Sequence, residues 1–463
     1  MLYLICRKKR TKTKGFSMRE TRIAQASIFE NYSKHEFGNR LRSLSDLLDQ
    51  HVEVLDIIGE DINNKSVTHV GRNGLTLENI FRCLLLKQYL QVSYKQLSFH
   101  LSDSSTYRAF TRLPAHLAPS KSALQATIRC IKPETLQLVH NLMSSTWYKN
   151  GHLSLDKIRI DSTVVLSDIT PPSDSQLLND GVRVLSRNLA KLRDITGYKL
   201  RFTDQRKKSK SLAFKIFNAK VALKEALYPD LLNLVAIVIK QVDRGLLQAK
   251  ACSVVSNSLQ KWIDDVDRFR DLTLKVVDQT QRRIFCDEKV PASEKIVSIF
   301  EPHTDVIVKG FREVQYGHKV NLSTEGNGFI TCFSIEDGNP SDKDLFMPVL
   351  DFHQKNFDKL PGAVVCDGGY ASKENVTKGR NLGIKHVVFH KRVGISYHAM
   401  GVKIKTFKKL RNFRAGVEGN ISELKRAFGV GKARWNGHDG FKAFVWSSVI
   451  SYNLMRLARL ESG

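Results

Sequence analysis

Three acidic residues in this chain stand where a carboxylate needs a reason to be: Asp161, Asp367 and Glu418. Glu418 belongs to "LRNFRAGVEGNISELKRAFG", Leu410 to Gly429. Wound as an α-helix at about 100° per residue, this stretch puts Val417, Ile421, Leu424 and Phe428 on one apolar stripe. Arg411, Arg414, Glu418 and Lys425 fall on a second stripe beside it. Glu423 lands roughly opposite, where a carboxylate is simply solvated. Either Glu418 is one half of an i,i+4 ion pair with Arg414, or it is a working carboxylate at the edge of the buried face. Asp161 interrupts the apolar, β-branched run of "KIRIDSTVVLSD", where burying a carboxylate requires a cation; an edge-strand position is the plainer alternative. Asp367 ends "AVVCD" just before Gly368-Gly369. Ligands gather at the carboxyl ends of strands, and glycines keep the approach open. Otherwise Asp367 is a turn-former that caps the next helix.

Taken together, three carboxylates suit one chemistry. Mg²⁺ takes oxygen ligands and binds through a few carboxylates, water and substrate phosphates. Two such ions about 4 Å apart can activate an attacking water or 3′-hydroxyl and stabilise the leaving oxygen of an in-line phosphoryl displacement. Neutral Asn or Gln would leave that metal charge unbalanced.

The elements that must position these acids can be read from periodicity. From about Glu20 to Asn150 the patterns are helical. Thr76 caps "TLENIFRCLLLKQYL", "SYKQLSFHLSD" follows a short turn, Ser120 or Ser122 can cap "SALQATIRCI", and Pro133 opens "PETLQLVHNLMSSTWY". Short helices of this kind, one flanked by Lys121 and Arg129, fit a helix-turn-helix reader of the major groove or an ordinary bundle. At Lys157 the period becomes that of a strand. Helical patterns return from about Ser173 to Ser293, and strands resume near Asp305. "YGHKVNLSTEGNGFITCFSI" predicts a hairpin turning at Asn327-Gly328, with His318 and Lys319 on its first strand, suited to packing or to phosphate contact. A helix, the strand "AVVCD", a helix, the strand "KHVVFH" and the helix of Glu418 follow, and "DGFKAFVWSSVISYNLMRLARL" closes the chain. This is the element order of an RNase H-like core with a large helical insert after its first strand.

The expected architecture is therefore a multidomain protein of mixed α+β and α/β character. It comprises a basic extension at 1–17, a helical DNA-binding domain at 18–150, and a mixed-sheet catalytic core at 151–172 and 305–463. A mainly helical insertion occupies 173–304. The extension is a basic arm or, preferably, an upstream continuation of the reading frame, with Met18 the natural start.

Composition narrows the partner. Of 463 residues, Lys and Arg number 73 against 46 Asp and Glu, a formal net charge of +27 that points to a polyanion, usually nucleic acid. Two basic stretches stand out: Lys199 to Lys224 has nine cations against Asp204, and Lys373 to Arg411 has eleven against Glu374. Either can be a solvated face or a phosphate track. The longest apolar run, Leu231 to Ile239, is too short to span a bilayer. Seven scattered cysteines without a CxxC pair suit a reduced, cytoplasmic setting. The fourteen histidines contain no HExxH, and His386 and His390 lie on a strand. Paired-carboxylate glycosidase chemistry would leave the positive charge without a purpose.

In "RIDSTVV", "QLLNDGVRVL", "YGHKVNLST", "VVCDGGYAS" and "RAGVEGNISELKRAFG" the chain resembles the DDE transposases of bacterial insertion sequences, from about Met18 to Leu460. One branch of that family carries Tyr-x2-Arg-x3-Glu-x6-Lys on its catalytic helix. Arg414, Glu418 and Lys425 stand at that spacing, and Arg411 stands where that branch has Tyr. The resemblance implies that Asp161, Asp367 and Glu418 are both catalytic and metal-binding, holding two Mg²⁺ (or Mn²⁺) ions. Arg414 and Lys425, with Arg411, would contact DNA phosphates. It further implies double-stranded DNA partners (terminal inverted repeats and target), a homodimer in the synaptic complex, no membrane, and a cytoplasmic, nucleoid-associated location. The segment around Ser93 to Arg112 resembles the helical N-terminal domain that binds such repeats. The alternatives are an RNase H-like nuclease that cuts without joining, and an inactive DNA-binding repressor.

Overall fold

The computed structural model describes residues 21–22, 32–63, 74–114, 116–197, 201–252, 256–308, 313–390 and 395–461. The expected basic extension lies outside them. The chain forms two compact units, one of residues 1–153 and 445–463, the other of 154–444.

The first unit is helical: α1 (Glu36–Asp49), α2 (Val54–Asn63), α3 (Leu77–Leu90), α4 (Tyr94–Asp103), α5 (Ser105–Thr111), α6 (Lys121–Ile128) and α7 (Pro133–Lys149). Capping chemistry sets the starts. Thr76 and Ser93 form reciprocal capping boxes with Asn79 and Gln96, Ser120 caps α6, and Pro133 opens α7. α3 is buried almost all round, so its Arg82 needs partners and finds Glu78 and Asp49, each at 3.0 Å. The end of the chain packs here too. Gln88 Nε2 donates to the hydroxyls of Ser447 and Ser448 at 2.8 and 3.0 Å, and the His140 ring lies 5.4 Å from that of Trp446. The expected catalytic core ran to 463, whereas these apolar and hydroxyl contacts group the last stretch, from Val445, with the helices.

The second unit opens with β1 (Lys157–Ser167) and continues through four helices, α8 (Asp174–Thr196), α9 (Arg206–Asn218), α10 (Val221–Lys250) and α11 (Asn257–Phe285). Their facing stripes make one core that includes Leu178, Leu185, Leu231, Val242 and Val266. α10 starts well before the apolar run and continues through Pro229. Then come β2 (Asp305–Ile307), β3 (Gln315–Thr324), β4 (Ile330–Ile335), α12 (Phe346–Phe357), β5 (Ala363–Asp367), α13 (Lys373–Asn381), β6 (His386–His390), α14 (Ile404–Ala427), β7 (Lys432–Ala433) and α15 (His438–Glu461). The sheet runs β2-β3-β1-β5-β6, with β4 also on β3 and β7 also on β1. β1 pairs antiparallel with β3 and parallel with β5, and β5 pairs parallel with β6. This mixed sheet is consistent with an RNase H-like core.

One expectation changes. β1 has partners on both sides, so Asp161, opposite Leu322, is not an edge-strand residue. β3 is buried from Gly317 onward. The hairpin turns where expected, with Gly328 at φ +85° and the Glu325 carboxylate accepting from Phe329 N at 3.1 Å.

Candidate active site

Asp161 sits in the middle of β1, Asp367 is the last residue of the neighbouring parallel β5, and Glu418 lies in α14. One side chain gathers them. Arg414 Nη2 lies 3.1 Å from Asp161 Oδ2 and 3.3 Å from Asp367 Oδ1, while its Nη1 lies 3.3 Å from Glu418 Oε1. Exposure rises across the set: the side chains of Arg414 and Asp161 are 10% and 16% exposed, those of Asp367 and Glu418 47% and 68%. The acids therefore form a cluster closed on the sheet side and open to solvent on the other, with a guanidinium where their charges meet. The i,i+4 pair expected from the helix is present, but it is one arm of a three-way contact.

What holds α14 over β1 is a second arginine that periodicity alone does not reveal. Arg159, two residues before Asp161 and 6% exposed, donates to Thr324 Oγ1 at 2.9 Å, to the Phe413 carbonyl at 2.9 Å and to Asn420 Oδ1 at 2.8 Å. Its guanidinium also stacks 4.7 Å from the Phe413 ring. The helix can come this close because of Gly416, where a Cβ would lie 2.1 Å from Arg159 Nη1. Buried Val417 and Leu424 complete the packed face. Glu423 is half-buried rather than fully solvated, so the helix is shielded on more than the expected stripe.

A fourth carboxylate lies close by. Asp342 accepts from Ser162 Oγ at 2.8 Å and pairs with Lys319 Nζ at 2.6 Å. Gly369 makes room for it, since a Cβ there would stand 2.6 Å from Asp342 Oδ2. That glycine thus lets Asp342 pack close behind Asp367. Lys319 is 3% and His318 2% exposed, and Lys319 Nζ also donates to the Pro340 carbonyl at 2.6 Å. Of their two expected roles, packing is the one their surroundings support; neither side chain is open to a phosphate. Arg411 is exposed and Lys425 half-buried on α14; Lys121 and Arg129, at the two ends of α6, are exposed. Cys366, next to Asp367, is no nucleophile: burial, reinforced by the negative charge of Asp161, pushes its thiol far above the usual range.

Two family models match the chain. The Transposase DDE domain matches residues 309–454, which contain Asp367, Arg414 and Glu418, and the Transposase domain (DUF772) matches residues 30–129. No curated protein and no solved structure matches.

Proposed function

We propose, of a chain that belongs to the DDE transposases of insertion sequences, that it binds the terminal inverted repeats of its element, cuts DNA at their ends, and joins the freed 3′-hydroxyls to a target. The observation that carries this reading is the meeting of Asp161, Asp367 and Glu418 on one guanidinium.

By type the donors suit a divalent cation of the magnesium or manganese class, and what joins them in this structure is Arg414, whose place an ion would take. All are carboxylate oxygens, the ligands such ions prefer, and the charges already converge on a cationic group. Asp161, Asp367 and Glu418 would hold two ions, which when bound supply activation of the attacking oxygen and charge relief at the leaving oxygen. The remaining work belongs to the chain itself. β1 and β5 fix the backbones of the two aspartates in adjacent parallel strands, and α14 brings the glutamate across them. Arg414 offers a bidentate group to a phosphate beside the acids, and Arg411 and Lys425 extend that cationic line along the same helix. Lys121 and Arg129 serve the ends of the element from the helical unit, in the role of a DNA-binding domain. The helices α8 to α11 are an insertion in an RNase H-like core, and the exposed cations of α9 give them a phosphate-binding face. Synapsis of two ends requires at least a dimer during the reaction, in the bacterial cytoplasm beside the nucleoid.

Joining separates this reading from a nuclease that cuts without joining and from a repressor that only binds. Supplied with pre-cut element ends, target plasmid and Mg²⁺, the purified protein should yield joined products. Cutting of intact ends without joined product leaves the nuclease; binding alone leaves the repressor.

A further inference from the structure

Away from the acids, three histidines far apart in the chain meet at the β2–β3 edge of the sheet. One ring nitrogen from each of His303, His318 and His438 lies within 4.8 Å of those of the others. The rings are near-parallel, with centroids 4.8 to 5.3 Å apart, and Phe441 closes one side edge-on. The outer nitrogens of His303 and His318 face carboxylates and the inner ones face one another. The Glu301 carboxylate lies 2.9 Å from His303 Nε2, leaving Nδ1 to face inward. Asp305 Oδ2 lies 3.0 Å from His318 Nδ1, close enough for ion pairing though off the line of the ring N–H, leaving Nε2 to face inward. Those two inward nitrogens share a hydrogen bond at 2.8 Å, the contact that a bound ion would replace. His438 Nε2 is buried with no hydrogen-bond partner among the described residues. Glu301 also accepts from the Gly437 backbone N–H at 2.9 Å, which fixes the turn that presents His438.

A carboxylate on the outer nitrogen of a histidine is the arrangement that orients metal-ligating imidazoles and raises their basicity. We propose that His303, His318 and His438 form a binding site for a borderline divalent cation of the zinc class, separate from the carboxylate cluster. Imidazole nitrogens select such ions, whereas the all-oxygen set of Asp161, Asp367 and Glu418 selects magnesium or manganese. In a tetrahedral zinc site with metal–nitrogen distances of about 2.0–2.1 Å, ligand nitrogens stand about 3.3 Å apart. The present spacings, from 2.8 Å to within 4.8 Å, bracket that value. The site ties the segment before β2 and the middle of the sheet's β3 to the start of α15. It also gives His318 a purpose that its burial denies to DNA contact.

The test uses the full-length protein, stripped with chelator and titrated with Co²⁺ and then Zn²⁺. One equivalent of Co²⁺ per chain should bring up the intense visible absorption of a tetrahedral nitrogen-ligated ion, and Zn²⁺ should abolish it. His438→Gln should lose that absorption, Glu301→Gln should weaken Zn²⁺ binding about 10- to 100-fold, and Asp161→Asn should leave both unchanged. Absence of the absorption in the wild-type protein overturns the site, and this readout stands even if a variant fails to fold. Loss of the absorption in Asp161→Asn but not in His438→Gln overturns it as well.

Discussion

Arg414 stands where the three acids would place a cation, and that arrangement makes Glu418 and Glu423 a sharp pair for comparison. Both are glutamates on α14, five positions apart, but only Glu418 reaches the guanidinium that Asp161 and Asp367 share. Glu418→Gln keeps size and hydrogen-bonding capacity and removes the charge. Single-turnover strand cleavage should fall by roughly a thousandfold, the equivalent of about 4 kcal/mol of barrier, with binding to element ends spared. Glu423→Gln should change neither. The three acids were legible in the chain because each breaks a local pattern: an acid inside an apolar strand, an acid before two glycines, an acid at a definite helical phase. Arg159 and Asp342 were not. Their partners, Asn420 and Ser162, lie 261 and 180 residues away, and no local pattern announces a pairing at that distance.

The seating of α14 on β1 depends on a glycine, and here two effects of opposite sign compete. Alanine at an interior helix position is worth up to about 1 kcal/mol over glycine. A Cβ at Gly416 would, however, press on a guanidinium held by three hydrogen bonds, and overpacking of that kind costs about 1–3 kcal/mol. The clash should win: Gly416→Ala should lower the thermal midpoint and, by displacing Glu418 and Arg414 from Asp161, reduce cleavage. A more stable Gly416→Ala protein would mean that Arg159 does not clamp the helix. Helix and strand positions followed from capping residues and period, as at Thr76, Pro133 and "AVVCD". What periodicity could not show was that α15 divides between two units. Its apolar face continues past Phe444 without a break, and contacts such as the hydrogen bonds from Gln88 to Ser447 and Ser448 show where its second half belongs.

The net charge of +27 and the excess of cations in Lys199 to Lys224 and Lys373 to Arg411 make a prediction for the whole chain. If ten or so of them release counterions from DNA, affinity for element ends should fall by about 10³- to 10⁵-fold between 50 and 200 mM salt. A shallow slope would mean that these stretches are merely solvated. Acid should also loosen the second unit by a definite route. His353, fully buried, has Nδ1 2.7 Å from the Val349 carbonyl and Nε2 3.0 Å from the Thr331 hydroxyl, and burial holds its imidazole down to about 4. The unfolded chain takes up that proton below about pH 6.5, the folded one only near 4, so the contribution is whole at neutral pH and is lost as pH falls between those values. The urea midpoint should decline from pH 7 to 5, and less steeply in His353→Gln; equal slopes would remove His353 as the cause.

The most direct test of the carboxylate cluster is diffraction from crystals grown with Mn²⁺, with data collected at the manganese edge. Anomalous density within bonding distance of Asp161, Asp367 and Glu418, with Arg414 displaced from their oxygens, is the expected result. Featureless density there, in protein that still cleaves DNA in the same Mn²⁺ buffer, would show that the acids and their arginine are structural and that the chemistry lies elsewhere.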